Sequence, residues 1–442
     1  MNRIRLGHRI LPLLLSVAGL ATAAAPAAAA PPLADAFRTP PDAARPWVYW
    51  YFMDGNLTRE GMTADLEAMK RAGIGGALFL EVNVGVPRGP VEFMSPEWRE
   101  LFRHAAKETE RLGLEFAVGT GPGWCGSGGP WVKPEQSMQH LVAAATNVAG
   151  PAKLDAMLPR PAPRTPFFGE RTLTPELKTL WQDYYLDVAV LAFPTPEGDA
   201  RIADADEKAL YHRAPFSSQP GVKAYLPDPA AAPDLPAAQC IARSGIVDLT
   251  DRLRPDGRLA WDVPAGSWTI LRFGRTITGQ TTRPAPKPGL GLETDKFSRD
   301  AVEAHFATFT RTLLDGIGAR RTPGAGLTTL HFDSWEMSSQ NWSESFRADF
   351  RRLRGYDPLR FLPALAGRIV DSPAITERFL WDLRQTAQEL VAANHTGTLQ
   401  ALARRHGLKF SIEPYDMNPC ADLFLGADAD IPQCEFWSRD HG

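Results

Sequence analysis

The fold class is indicated most clearly by residues 46–82, PWVYWYFMDGNLTREGMTADLEAMKRAGIGGALFLEV. An aromatic run with strand character comes first and ends in turn residues that begin at Asp54. Thr58 then predicts the N-cap of a helix that ends near Gly73, and the continuous apolar run GGALFLEV is typical of a strand buried on both faces. Strand, helix and strand in this order predict a parallel sheet with crossover helices.

The alternation of strands and helices continues along the chain with one long interruption. SPEWRELFRHAAKETERLG predicts a helix, and the strand LEFAVGT follows it. Residues 140–290 are rich in proline and contain short strands separated by turns, which predicts an inserted antiparallel β module. Helices then resume, with LTTLHFDSWE, LKFSIEPYD and ADIPQCEFW as later strands. About six of the eight strands of a (β/α)8 TIM-type barrel are present, so we expect an α/β barrel that is incomplete at its C-terminus.

The predicted domain organisation begins with a secretory signal peptide at residues 1–30. Three arginines precede an apolar run and an alanine-rich stretch, and the run is too short to span a bilayer. Residues 31–139 are predicted to form the first part of the catalytic barrel, and residues 291–442 the second part, on either side of the inserted module. We therefore expect a secreted or periplasmic protein without a membrane span.

Charge and cysteine content exclude several classes of protein. The formal charge is -3, and removal of the three signal-peptide arginines makes it -6 (-3 minus 3), so no basic field is left to bind nucleic acid. The four cysteines contain no C-x-x-C pair, which argues against a zinc site. Export would permit a disulfide, and Cys420 and Cys434 are the nearest pair, but the sequence leaves their pairing open.

Carboxylates follow the predicted barrel strands. The active site of such a barrel lies at the carboxyl ends of its strands, so a polar residue that ends an apolar run is a candidate for function. The residues in this position are Asp54, Glu81, Asp333, Glu336, Glu413, Asp416 and Glu435.

Two of these carboxylates are candidates for glycoside hydrolysis, which needs one acid and one base on either side of the scissile bond. Glu336 lies between Trp335 and Trp342 in the sequence, and burial by those rings would favour the protonated state that a general acid needs. Glu435, which precedes Phe436 and Trp437, is the second candidate. Tryptophans beside acids also suit sugars, whose C–H faces pack on aromatic rings.

The segment GPGWCG, residues 121–126, matches a dinucleotide-binding pattern, but Pro122 and Trp124 crowd it and no acid follows at the required distance. We predict instead a loop that lines the substrate cleft with Trp124 and Trp131. Asn341 is predicted to cap a helix or to line the site. The histidines show no metal-ligand spacing. Two alternatives stay open: a hydrolase of the same barrel type for a different sugar, and a catalytically silent glycan-binding protein.

Several motifs together resemble glycoside hydrolase family 106, the α-L-rhamnosidases. The resemblance extends from about residue 37 to the last residue, and the motifs beyond residues 46–82 are SPEWRELFRHAAKETERLGLEFAVGTGPGWCGSGGPWVKPEQSMQ, PGLGLETDKF, LHFDSWEMSSQNW, GYDP, FSIEPYDMNP and PQCEFW. It implies a (β/α)8 barrel with β domains that removes terminal α-L-rhamnose from oligo- or polysaccharides by inversion, with the help of calcium.

The resemblance also assigns residues. It implies that Glu336 is the acid, that Glu435 is the base and that Glu413 is a further acid near the metal or the sugar hydroxyls. Inversion requires the two carboxyl groups to lie about 6.5–9.5 Å apart so that a water fits between them. The usual family member is longer than this chain.

Overall fold

The computed structural model describes residues 33–212, 234–414, 420–427 and 429–434. The predicted signal peptide, Asp416 and Glu435 therefore lie outside the described residues. Residues 1–44 form one unit, in which the described part is helical, and residues 45–442 form a second, much larger unit. Within the described part of the chain, no helix combines the length and the apolar character needed to cross a membrane.

The regular elements alternate as the sequence predicts, with an interruption after the third strand. The strands are β1 (Trp47–Met53), β2 (Gly76–Val82), β3 (Glu115–Gly119), β4 (Gly128–Gly129), β5 (Gln139–Met157), β6 (Leu186–Pro194), β7 (Val247–Asp248), β8 (Arg258–Ile277), β9 (Leu292–Glu293), β10 (Gly326–Phe332), β11 (Lys409–Ile412) and β12 (Ile431–Pro432). The helices are α1 (Leu33–Arg38), α2 (Arg59–Arg71), α3 (Pro96–Leu112), α4 (Pro175–Asp183), α5 (Ala205–Lys208), α6 (Arg299–Thr308), α7 (Thr310–Ile317), α8 (Phe346–Arg354), α9 (Pro373–Leu390), α10 (Gly397–Arg405) and α11 (Asp422–Gly426).

The main sheet is parallel, and its six described strands lie in the order β1-β2-β3-β10-β11-β12. Each of these strands was expected from the sequence, and each new strand is added to the same edge. This sequential order is the one that a (β/α)8 barrel requires. The fold class is confirmed as mixed α/β with a parallel sheet and helices, whereas a complete barrel is not seen in the described residues.

The main sheet is strongly curved. Three strand spacings of about 4.8 Å separate β1 from β10, so their side chains would lie about 14 Å apart on a flat sheet. The hydroxyl of Tyr49 on β1 nevertheless donates to Oδ2 of Asp333, directly after β10, at 3.1 Å. Strand side chains stand roughly perpendicular to their sheet, so this bond can form only if the sheet curves and brings the concave faces of β1 and β10 towards each other.

Helices α2 and α3 begin and end where the sequence predicts. The Thr58 hydroxyl accepts from the Gly61 N–H at 3.0 Å, and the Ser95 hydroxyl accepts from the Trp98 N–H at 3.1 Å, so each side chain satisfies an N–H that the first helical turn leaves unpaired. Helix α3 ends at Gly113, whose φ of 65° is left-handed and suits glycine. Both helices pack on the convex face of the sheet, where Trp98 contacts Phe79 of β2 at a centroid distance of 5.8 Å.

The interruption contains a four-stranded antiparallel sheet in the order β5-β8-β6-β7. Its longest ladder pairs β5 with β8, from Gln139 opposite Ile277 to Met157 opposite Arg258. Strands β6, β7 and β8 match short strands of the predicted module, but β5 was not predicted. The sheet has a small core of its own, in which Trp261 and Trp268 meet edge to face.

Candidate active site

An aromatic wall lies on the concave face of the main sheet. Trp47 and Met53 of β1 pack inward against Leu78, Leu80, Val82 and Ala117. Tyr49 and Tyr51 lie at the odd-numbered positions between them, so their side chains point to the same face. The two tyrosine rings are parallel, 7° apart in plane and 5.4 Å between centroids. The Trp124 ring meets the Tyr51 ring edge to face, with 6.2 Å between the ring centroids. We call these three side chains, Tyr49, Tyr51 and Trp124, the aromatic wall.

A chain of polar contacts runs from one end of the wall across the strand ends. Oδ2 of Asp333 accepts from the Tyr49 hydroxyl and lies 2.9 Å from His331 Nε2. The other ring nitrogen of His331 lies 3.0 Å from the Ser411 hydroxyl, to which the Gln433 amide donates at 2.8 Å. Strand β1, the ends of β10 and β11 and the residue after β12 are therefore held in one network.

The charge state of this network follows from its contacts. Burial acts to raise the pKa of Asp333, but the hydrogen bond and charge of His331, with further donors, hold that pKa below its ordinary value. Burial, followed by the charges of Asp333 and Glu413, raises the pKa of Tyr49 well above its ordinary value. Asp333 is thus an ionised acceptor and Tyr49 a neutral donor at neutral pH.

Glu336 lies at the other end of the wall. Its Oε2 accepts from the Trp124 indole N–H at 2.9 Å and from the Cys125 thiol at 3.5 Å. The sequence suggested Trp335 and Trp342 as the rings that would shield Glu336 from water. Both of those indoles are buried in the core, Glu336 itself is only partly buried, and the ring in hydrogen-bond contact with it is Trp124.

The GPGWCG loop after β3 is the element that brings Trp124 to Glu336. The Trp124 and Cys125 N–H groups both donate to the Arg283 carbonyl, at 3.0 and 2.9 Å. Gly123 has a φ of 84°, and a Cβ on it would lie 2.3 Å from that same carbonyl oxygen, so only glycine fits. Trp124, which was predicted to line the substrate cleft, contacts Tyr51 and Glu336.

A buried segment, Leu292–Phe297, supports both loops that meet at Glu336. Oε2 of Glu293 accepts from the Ser127 N–H at 3.3 Å on one side, and the Lys296 N–H donates to the Gln340 side chain at 3.0 Å on the other. The Lys296 ammonium is fully buried and donates to Oε2 of Glu293 at 2.6 Å. Burial lowers the pKa of Lys296, and the charge of Glu293 opposes that effect.

The remaining predicted acids occupy different positions. Glu413, directly after β11, is buried, and its charge acts on the Tyr49 hydroxyl together with that of Asp333. Asp54, directly after β1, is also buried and accepts from the Asn83 side-chain amide at 2.7 Å. The structure thus gathers Asp333, Glu336 and Glu413 around the aromatic wall.

Glu81 corrects a sequence-based prediction, because it faces the helices and not the cleft. Its Oε1 accepts from the Gly55 N–H at 2.9 Å, and its Oε2 accepts from the Trp98 indole of α3 at 3.1 Å. On β2 it alternates with Leu80 and Val82, which point to the concave face. Glu81 therefore joins the turn after β1 to α3, and its contacts leave it a structural role.

We expect Glu81 to make stability depend on pH. Burial raises its pKa from 4.5 to about 7, although the hydrogen bonds from Trp98 and Gly55 act to lower it. Between those values the folded protein binds more protons at this site than the unfolded chain, so the free energy of unfolding falls as pH rises through that window. Urea unfolding across the window should show this decline, and Glu81→Gln should reduce its slope; an unchanged slope would contradict the assignment.

Four other predicted site residues are part of the packing. The Trp131 indole donates to His305 Nδ1 at 3.0 Å and stacks on Phe309. Trp335 donates to the Ser338 carbonyl, and Trp342 packs on Phe346. Asn341 accepts from the Leu141 N–H and donates to the Ala209 carbonyl, so it joins the segment after β10 to β5 and to the residue after α5. The reason for the difference is burial, since Trp335, Asn341 and Trp342 are almost inaccessible to solvent.

Three members of the site were not predicted from the sequence. From the sequence, Tyr49 and Tyr51 were strand residues within an aromatic run, and His331 was not a candidate because the histidines show no metal-ligand spacing. The period-two alternation of β1, with Trp50 and Phe52 on the opposite face, is the pattern that could have identified the tyrosines. The sequence left disulfide pairing open. In the described residues, Cys125, Cys240, Cys420 and Cys434 are all free.

Carboxylates and aromatic rings that converge at the carboxyl ends of parallel strands define the type of site that glycoside hydrolases use. The chain belongs to glycoside hydrolase family 106, described as alpha-L-rhamnosidase, whose sequence model matches residues 38–442. The family expected from the sequence motifs is therefore confirmed.

Two relatives extend this result. A protein of Formosa agariphila named "Putative beta-glucuronidase" is 38% identical over 406 residues, which cover 92% of this chain and 32% of that protein. The solved structure of a rhamnosidase from Novosphingobium sp. PP1Y matches with a TM-score of 0.75 and 29% identity, over 93% of this chain and 50% of that one. The chain thus spans about a third of the first relative's length and half of the second's.

Proposed function

We propose that this protein is an exported glycoside hydrolase that removes terminal α-L-rhamnose from glycans by an inverting mechanism. The observation that carries the proposal is the contact of Glu336 with the aromatic wall, through the hydrogen bond from Trp124 at 2.9 Å. It places a partly exposed carboxyl group beside an aromatic surface that suits a sugar. Family membership supports the substrate class, and the signal-like N-terminus supports export to the periplasm or the medium.

In the proposed mechanism, Glu336 protonates the glycosidic oxygen as the bond to the sugar breaks. Trp124 and Cys125 fix the position of its carboxyl group. Glu435, which the resemblance assigns as the base, would activate a water on the opposite face of the ring. Glu435 lies outside the described residues, but Gln433, two positions earlier, is bound to Ser411 at the carboxyl end of the main sheet.

The substrates of a rhamnosidase and of a glucuronidase differ in charge. A glucuronide carries a carboxylate, which needs a cationic partner in its site. The wall is bordered by Asp333 and Glu413, whose charges act on Tyr49, and Asp333 is held ionised. Like charges within a few ångströms repel strongly where water is excluded, so this environment favours a neutral sugar such as rhamnose over a uronic acid.

A panel of aryl glycosides tests the substrate class. We expect the protein to release the phenol from an aryl α-L-rhamnoside, and to act at least tenfold less well on an aryl β-D-glucuronide. Proton NMR of the first sugar released should show the anomer of opposite configuration, as inversion requires. Preferred cleavage of the glucuronide would refute the rhamnosidase assignment, and absence of cleavage combined with sugar binding would favour a silent glycan-binding protein.

A calcium ion is implied by the family resemblance. In residues 33–212, 234–414, 420–427 and 429–434, no group of three or more His, Cys, Asp or Glu side chains could hold a metal ion. Both oxygens of Asp333 already accept hydrogen bonds. These residues by themselves do not fit a calcium site, so no step above uses the ion. The family resemblance predicts that EDTA removes activity and that Ca²⁺ restores it, and unchanged activity in EDTA would exclude the ion.

A further inference from the structure

The aromatic wall has two features that a purely structural cluster does not need. Tyr49 and Tyr51 lie on β1, an edge strand of the described main sheet, and 41% and 38% of their surfaces are exposed. Trp50 and Phe52, on the other face of the same strand, are buried against the helix layer. An exposed pair of stacked rings on the concave face of a barrel-type sheet offers an apolar surface to a ligand.

Polar groups border this surface at both ends. The Tyr49 end carries the ionised carboxylate of Asp333 and the nearby charge of Glu413. The Trp124 end carries the carboxyl group of Glu336. A ligand that fits has an apolar face for the rings, several hydroxyl donors for the first end, and a bond to be protonated at the second end. A pyranose ring with adjacent hydroxyls has all three properties.

We propose that Tyr51, stacked on Tyr49, is the platform for the pyranose ring that is cleaved, with the ring hydroxyls directed towards Glu413 and the Tyr49 hydroxyl oxygen. This proposal rests on the proposed function and deepens it, because it assigns the wall to the sugar and not to the leaving group. An aryl leaving group has no ring hydroxyls to donate to Glu413 and the Tyr49 hydroxyl oxygen. Tyr51 is therefore a specificity-determining residue, and Tyr49 orients it and binds Asp333.

The test measures binding of free sugars, so it does not depend on turnover. Ligand-observed NMR titrations with L-rhamnose, D-glucuronate and 4-nitrophenol are compared for the protein and for Tyr51→Ala, Tyr51→Leu and Tyr51→Phe. We expect the alanine and leucine variants to weaken L-rhamnose about three- to tenfold, the range for loss of one aromatic contact. Tyr51→Phe, which keeps the ring, should bind almost normally, and 4-nitrophenol should be unaffected.

Matched controls separate this effect from general damage. Trp381 on α9 is an aromatic residue with a similar exposure of 41%, and Trp381→Ala should leave sugar binding unchanged. Tyr51→Leu keeps an apolar side chain in the strand and serves if the alanine variant does not fold.

Three results would overturn the platform: sugar binding that survives the loss of the Tyr51 ring, weakened binding of 4-nitrophenol alone, or no sugar binding by the unmodified protein. If D-glucuronate binds in place of L-rhamnose and depends on the Tyr51 ring, the platform stands and the rhamnosidase assignment fails.

Discussion

Glu336→Gln is expected to reduce kcat on an aryl α-L-rhamnoside by a factor of about 10²–10⁴, the usual contribution of a positioned general acid. Glutamine keeps an oxygen that can accept from the Trp124 indole, so the loop contact and the fold should survive while the transferable proton is lost. The loss should be larger for a poor leaving group than for a nitrophenol, because a good leaving group departs with little protonation. Steady-state rates for a series of aryl rhamnosides measure this dependence.

Glu344 provides a matched control for this experiment. It lies eight residues further along the same stretch, its side chain is 83% exposed, and it pairs with Arg275 at 3.3 Å. Glu344→Gln should leave kcat and KM unchanged. If Glu336→Gln retained near-normal turnover on every substrate, or if its loss did not vary with the leaving group, Glu336 would not be the acid.

Lys296→Met is expected to lower the free energy of unfolding by about 3–5 kcal/mol, because it leaves the carboxylate of Glu293 buried without its cation. Both side chains of the pair are completely inaccessible to solvent, and their charged atoms are 2.6 Å apart. Lys296 also donates to the Thr294 carbonyl at 3.0 Å, and that acceptor would lose its partner as well. Urea unfolding followed by tryptophan fluorescence measures the loss.

A double variant and an exposed ion pair complete this test. Glu293→Gln combined with Lys296→Met removes both charges and should recover more than half of the stability lost in the single variant, since no unpaired charge remains. Arg311 and Asp315 form an exposed pair at 3.7 Å on α7, and Arg311→Met should have no measurable effect. If Lys296→Met lowered the free energy of unfolding as little as Arg311→Met, Glu293 would not depend on the charge of Lys296.

The barrel-type elements were predictable because their patterns are local. The strand β2 is a continuous apolar run, and Ser95, Pro96 and Gly113 mark the ends of α3 by their own conformational preferences. Strand β5 was missed because its alanine-rich and glycine-containing sequence has little strand propensity. It is extended because β8, more than a hundred residues later, pairs with almost all of its length. Such a non-local cause leaves no local pattern to read.

The site was predictable in its acids and less so in its aromatic residues. Asp333, Glu336 and Glu413 follow strands, and the rule that places active sites at the carboxyl ends of barrel strands finds them from the sequence. Proximity along the chain was a poor guide to the neighbours of Glu336. Trp335 is the adjacent residue and is buried, whereas Trp124 lies more than two hundred residues away and forms the contact. The fold of the GPGWCG loop is what brings Trp124 into contact with Glu336.

The ladder of β5 and β8 has a consequence for how this protein tolerates change. Gln139 and Ile277 lie opposite each other at the end of the ladder where β5 begins and β8 ends, so the polypeptide departs and returns at a single junction. The far end, at Met157 and Arg258, is separated from the reaction centre by the whole ladder. Insertions and deletions at that distal end should therefore be tolerated during evolution. Changes in the first few residue pairs at the junction should be tolerated less well, because they lie nearer the candidate active site.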